Sequence, residues 1–162
     1  MRVACTALVV LVLGFSGAHA QNPVRISAGV SGGATYYCIV SRCDTGSTVG
    51  VFADVEIAPI LAFEIAGRRQ FCFDCDRFII GDAGLVLRYP ARRIRPFISA
   101  GVSRTSDPEF MGTHTGLSGA TGAWGWFNER WGTRIELRGR QVGRGDAIGE
   151  LSLSLAHRFG GT

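Results

Sequence analysis

Apolar and polar residues alternate with a period of two along most of this chain, the spacing of a strand whose side chains point to opposite faces in turn. Val24, Ile26, Ala28 and Val30 share one side of the first such segment, with Arg25, Ser27, Gly29 and Ser31 on the other. A second sets Val49, Val51, Ala53, Val55 and Ile57 against Phe52, Asp54 and Glu56. A third sets Leu61, Phe63 and Ile65 against Ala62, Glu64 and Ala66. In the fourth, about Phe78 to Tyr89, Ile79, Ala83, Leu85, Leu87 and Tyr89 oppose Asp82, Gly84 and Arg88, with Ile80 and Val86 on the polar side. The fifth opposes Pro96, Ile98, Ala100 and Val102 to Arg95, Phe97, Ser99, Gly101 and Ser103. The sixth, Gly116 to Phe127, has glycines at 116, 119, 122 and 125, a period of three that blurs the faces. Clarity returns in the seventh, where Trp131, Thr133, Ile135 and Leu137 oppose Arg134, Glu136, Arg138 and Arg140. The last, Ala147 to Phe159, sets Leu151, Leu153, Leu155, His157 and Phe159 against Ser152, Ser154, Ala156 and Arg158.

Eight strands of about 9–12 residues follow, an even number with the length of tilted strands that cross a bilayer. The connections near Pro59, Pro90 to Arg93 and Asn128 to Arg130 read as short turns. Those at Cys38 to Ser47, Gly67 to Arg77, Thr105 to His114 and Gly143 to Asp146 read as longer loops, so connection length alternates. A cluster of aromatics, Trp124, Trp126, Phe127 and Trp131, brackets the Asn128 turn, and Tyr89 adjoins Pro90. These suit an interfacial girdle on a barrel exterior.

Residues 1–20 read as a cleaved secretory leader: Met1-Arg2, a short apolar run from Val3 to Phe15, then Ala18-His19-Ala20 as a small-x-small cut site. The run is too short to span a bilayer, and residues 21–162 are left as one domain. All basic residues are arginine, and without Arg2 there are 16 of them against 13 acids. That mild positive balance in a secreted chain gives no reason to expect nucleic acid binding. The 23 glycines are spread through the alternating segments, as expected of strongly curved sheet rather than of disorder.

A two-faced strand suits either a soluble barrel with apolar faces turned inward or a transmembrane barrel with apolar faces in lipid. In the second case Arg25, Asp54, Glu56, Glu64, Asp82, Arg88, Arg95, Arg134, Glu136, Arg138, Arg140 and Arg158 all point into a narrow interior. Charges are tolerated there only when paired and hydrogen-bonded, so the expectation is a salt-bridged plug and not an open pore. The phrases Arg95-Pro96-Phe97-Ile98-Ser99-Ala100-Gly101-Val102 and Leu151 to Phe159, with the leader and the uneven connections, resemble the small outer-membrane β-barrel family related to OmpA and OmpX. The resemblance implies an all-β, eight-stranded, antiparallel up-and-down barrel in the outer membrane of a Gram-negative-type bacterium. It implies both termini on the periplasmic side, longer loops at the cell surface, lipid around the barrel and a monomer. It also implies recognition of the C-terminal strand, Leu151, Leu153, Leu155, His157 and Phe159, by barrel-assembly machinery; Gly160, Gly161 and Thr162 after the aromatic depart from that pattern.

The function implied is structural, or interactive through surface loops around Cys38–Cys43, Cys72–Cys75, Asp107 to Phe110 and Arg140 to Asp146. Four cysteines outside the leader, Cys38, Cys43, Cys72 and Cys75, suit disulfides in an oxidising compartment, paired within each loop or between the two. A zinc site of that spacing is the weaker alternative. Two further alternatives are a soluble periplasmic lipocalin-like barrel holding an apolar ligand, and a lipid-modifying enzyme. Lipid A deacylases carry a His-x-Ser motif, but here Gly116 and Phe159 stand two residues after His114 and His157. A triad of His114, Ser118 and Glu109 is the remaining enzymatic arrangement, and no cofactor motif is present. The expectation is a non-enzymatic protein without cofactor or metal.

Overall fold

The computed structural model describes residues 25–39, 42–72, 79–91, 93–107, 112–142 and 146–160. The leader, Cys75, Glu109 and the side chain of Cys72 lie outside the described residues. Eight strands follow one another: β1 (Arg25–Ile39), β2 (Arg42–Ala58), β3 (Leu61–Cys72), β4 (Ile79–Arg88), β5 (Ile94–Asp107), β6 (Gly112–Trp126), β7 (Trp131–Val142) and β8 (Asp146–Phe159). Each pairs antiparallel with its successor, and β1 pairs with β8 from Ile26↔Phe159 to Cys38↔Ala147. The sheet is a closed barrel with no free edge. Closure lets every interior backbone group pair within the sheet, the condition for a β-structure to cross lipid.

The apolar faces point outward. Val51, Leu117 and Leu153 are 60%, 68% and 62% exposed, while Asp54, Glu136 and Arg140 on the opposite faces are 0–2% exposed. This is the reverse of a soluble barrel and overturns the lipocalin-like alternative, which needs the apolar faces inside. The outward apolar run covers Val49 to Ile57 on β2 and Leu151 to Phe159 on β8, matching the thickness of a hydrocarbon core crossed by tilted strands. Beyond it, at the end away from Pro59, the outward residues turn polar: Thr45, Ser47, Arg69, Arg104, Thr113 and Thr115.

The strands are longer than their sequence pattern, at 10 to 17 residues, and this corrects the reading of the connections. Cys38 to Ser47 is no loop: β1 and β2 stay paired through Cys38↔Cys43 to Ile39↔Arg42. Likewise β3 continues past Gly67 to Cys72, and the Thr105 to His114 segment is largely strand on β5 and β6. Connections at the two ends are therefore of similar length, residues 40–41 at one and Pro59-Ile60 at the other. The extra chain at one end is strand standing above the apolar band. The Cys38–Cys43 disulfide closes across the β1–β2 pair there, so the within-loop pairing holds for these two cysteines.

Two of the expected girdle aromatics are inside. Trp124 is 1% exposed and packs with Phe52, Ala62, Val86, Phe97, Ala120 and Ala156, and Trp126 stacks on it at 5.4 Å between ring centroids. They are in phase with Ala120 and Gly122 on the inward face of β6, so the strand's parity fixes them regardless of the nearby turn. Tyr89, Phe127, Trp131 and Phe159 do lie outward at that end, with Trp131 and Phe159 edge-on to His157.

Candidate functional site

The interior is built in layers along the barrel axis. Towards the Pro59 end, Trp126, Trp124, Phe52 and Phe97 form an aromatic floor. Above it lies a charged centre, and above that Tyr37, Ile80, Val142 and Ile148 form a second apolar cluster. The charged centre is therefore enclosed by low-dielectric layers on both sides and by the sheet around it. Electrostatic interactions strengthen in such a setting and unpaired charge becomes costly.

Four arginines meet four carboxylates there. Arg68 Nη1 lies 2.5 Å from Asp82, its Nη2 3.1 Å from Glu136 and its Nε 3.1 Å from Glu150. Arg138 donates from Nη2 to Glu64 at 2.6 Å and from Nε to Glu136 at 2.6 Å. Arg140 donates from Nη2 to Asp82 at 2.9 Å and from Nη1 to Glu150 at 2.7 Å. Arg134 donates to both Glu64 and Glu136. It also stands over the Phe97 ring at 4.4 Å, joining the ion network to the aromatic floor by a cation–π contact. The network spans β3, β4, β7 and β8, so it ties strands that are not neighbours in the sheet. Its charges cancel, and each carboxylate meets at least two guanidiniums.

The expected inward residues divide into two groups. Glu64, Asp82, Arg134, Glu136, Arg138 and Arg140 come together in this centre, all buried. Asp54, Glu56, Arg88 and Arg158 gather near the Pro59 end, where Arg88 meets Asp54 at 2.8 Å and Glu56 at 3.1 Å. Arg25 is exposed at the mouth, and half-buried Arg95 donates to the Ala91 carbonyl at 3.0 Å, so neither joins the centre. Arg68 and Glu150 belong to the centre but were not in the expected set; continuing the alternation two residues at a time from Glu64 and from Ser152 reaches both. Buried Gln70 follows from the same phase.

The enzymatic arrangement does not assemble. His114 and Ser118 lie on the same strand four residues apart, about 13 Å along it, far beyond hydrogen-bond reach.

No protein-family model and no curated protein matches this chain. Solved structures do. Neisserial surface protein A aligns with a TM-score of 0.71 at 16% identity, over 86% of this chain and 100% of that one. The N-terminal β-barrel domain of OprF from Pseudomonas aeruginosa aligns at 0.60 and 16% identity, over 86% and 98%. Ail, the attachment invasion locus protein of Yersinia pestis, aligns at 0.59 and 12% identity, over 86% and 99%. The chain has the fold of the small eight-stranded outer-membrane β-barrels.

Proposed function

We propose that this chain is exported by its leader and inserted as a monomer in the outer membrane of a Gram-negative-type bacterium. There residues 21–162 act as a plugged anchor that presents structure above the membrane. One observation carries the reading: an apolar band faces outward around a filled, charge-balanced centre. Such a body is soluble in lipid and offers no path to ions, which argues for an anchoring or binding role over a porin's. The paired strands above the band, with the Cys38–Cys43 clasp at one tip, are the surface on which a partner would be met. The likeness to Ail, a protein named for attachment and invasion, supports a surface-interaction role over a purely architectural one. Insertion would use the β8 residues Leu151, Leu153, Leu155, His157 and Phe159 as the segment read by assembly machinery.

Membrane fractionation, with gel mobility compared before and after heating, tests the placement. Heat-modifiable protein in the outer-membrane fraction is expected, and planar-bilayer recordings should show no openings of porin size. Recovery in the soluble periplasmic fraction overturns the reading. For the role, cells displaying the chain should gain adhesion to a host-cell or matrix surface relative to cells without it. Loss of detergent resistance without any change in adhesion would instead favour envelope integrity.

A further inference from the structure

Among the described residues, the charge balance of the interior fails at the mouth beside Pro59. In the centre, Arg68, Arg134, Arg138 and Arg140 are matched one for one by Glu64, Asp82, Glu136 and Glu150. At that mouth, among the described residues, the inward faces carry Arg25, Arg88, Arg95 and Arg158 against Asp54 and Glu56. Strand register sets the four as two pairs facing each other across the mouth. Arg25 pairs directly with Glu56, and Arg158 pairs with Ser27, placing it diagonal to Arg25. Arg88 pairs with Phe97, which places it diagonal to Arg95. Diagonal neighbours on one face of a sheet lie about 7–8 Å apart, within reach of long side chains. Across the mouth a single oxygen of Glu56 serves both sides, 3.1 Å from Arg88 and 4.0 Å from Arg158.

Arg158 is the least satisfied of these. Its side chain is 11% exposed, and Nε and Nη2 are hidden from solvent without a hydrogen-bond partner. Its guanidinium lies flat enough over Trp126 to stand 3.7 Å from the ring centre, so the aromatic floor fixes its position without neutralising it. A guanidinium held in place at the mouth, surrounded by like charge and met by a carboxylate oxygen only at 4.0 Å, attracts an oxyanion. The local excess of two positive charges fits a dianion better than a single carboxylate. Guanidinium forks match phosphate oxygens two at a time.

We propose that the mouth beside Pro59 is a seat for a phosphoryl group, held by Arg158 and Arg95 with Arg25 closing the rim. Lipid headgroups and soluble phosphate monoesters share this chemistry, and both occur on the aqueous side of a membrane face. The seat is separate from any partner surface at the opposite end of the barrel, so its test stands independently of the role proposed above.

The full chain carrying Trp131→Phe, folded in zwitterionic detergent micelles, is titrated with inorganic phosphate and with chloride at fixed ionic strength, following the fluorescence of the stacked Trp124 and Trp126 beneath Arg158. A parallel titration uses lipid nanodiscs containing phosphatidic acid or only phosphatidylcholine. A saturable change with phosphate or phosphatidic acid is expected, weakened about tenfold in Arg158→Gln, the loss of one charge-assisted contact. Arg95→Gln should weaken it as well and serves if Arg158→Gln does not fold, as judged by heat-modifiable mobility. Arg69→Gln, outward at the other end, should leave it unchanged. Saturation by phosphatidic acid alone assigns a lipid headgroup, and saturation by inorganic phosphate as well assigns a soluble ligand. A response no different from chloride in both media, or one left at the wild-type level by both Arg158→Gln and Arg95→Gln, overturns the proposal.

Discussion

Replacing Glu136 with glutamine is the most direct test of the charged centre. Glu136 is 1% exposed and faces Arg68 at 3.1 Å, Arg138 at 2.6 Å, and Arg134. The substitution keeps the shape and leaves four guanidiniums sharing three carboxylates between two apolar layers. A single unit-charge pair at 4 Å is worth about 4 kcal/mol at an effective dielectric constant of about 20. The glutamine oxygen still accepts one bond, and Glu64, Asp82 and Glu150 can draw closer to the freed arginines. The expected loss is therefore that of one partner of a buried pair, about 3–5 kcal/mol. Adding Arg138→Met removes the stranded charge while keeping volume, so the double variant should recover at least about 1.5 kcal/mol relative to the sum of the single losses. Urea unfolding in phospholipid vesicles, followed by tryptophan fluorescence and gel mobility, measures both quantities. A loss below about 1 kcal/mol is what an exposed ion pair gives, and it would refute the enclosed, low-dielectric centre. Additivity within about 0.5 kcal/mol would refute the coupling.

Four further outcomes follow from the same geometry. Leu153→Arg puts a charge on the outward band and should cost about 2–4 kcal/mol of stability in vesicles if it lies near the bilayer midplane; unchanged folding would argue against lipid contact there. Gly122→Ala places a Cβ 2.8 Å from the Phe97 ring and against the Ile135 carbonyl, so about 1–3 kcal/mol should be lost, whereas Gly139→Ala, with nothing within 4 Å, should stay within about 0.5 kcal/mol by urea titration. Replacing Cys38 and Cys43 by serine opens a short ring, so the loss should not exceed about 2 kcal/mol, and faster amide exchange should be confined to the ends of β1 and β2; slowed assembly of the whole barrel would contradict a local clasp. Phe159→Ala should slow insertion by the cell's assembly machinery, and wild-type rates in cells would show that the terminal aromatic is not read.

The outward and inward faces of β2, β7 and β8 are legible in the sequence because the outward side of each is apolar and the inward side polar. The signal disappears where the outward side is polar as well. Gly67-Arg68-Arg69-Gln70 reads as a loop because both of its faces are polar, yet β3 continues through it with Arg68 and Gln70 inward and Arg69 outward. The same holds for Thr45 to Ser47 on β2 and Thr113 to His114 on β6. Periodicity of hydropathy thus marks the membrane-crossing part of a strand and not the strand's end. Arg68, a principal donor of the centre, was hidden by that distinction. The pairing of specific ions was out of reach for a different reason: Arg138 and Glu64 are 74 residues apart and meet only because the sheet closes.

The strand whose pattern was least readable, β6, turns out to be shaped by its neighbour. Its inward residues Ser118, Ala120 and Gly122 pair with Arg140, Arg138 and Glu136 of β7. On the other side of β7, Ser154 and Ser152 of β8 pair with Arg134 and Glu136. Each long side chain rising inward from β7 between Arg134 and Arg140 has a small neighbour on at least one flank, which leaves it room to cross to Glu64 and Asp82 on the far wall. The same exchange of volume recurs on β2, where a Cβ on Gly50 would stand 2.6 Å from Arg68 Cγ. Interior volume is fixed by eight strands, so each bulky charge requires a small neighbour. Gly122 of β6 is set by its neighbours, since a Cβ there would meet the Phe97 ring at 2.8 Å, whereas Gly119 and Gly125 face outward opposite Gly139 and Thr133. On this argument a larger residue at Ala120 or Ser118 should displace Arg138 or Arg140 from its carboxylates before it disturbs the strand pairing itself.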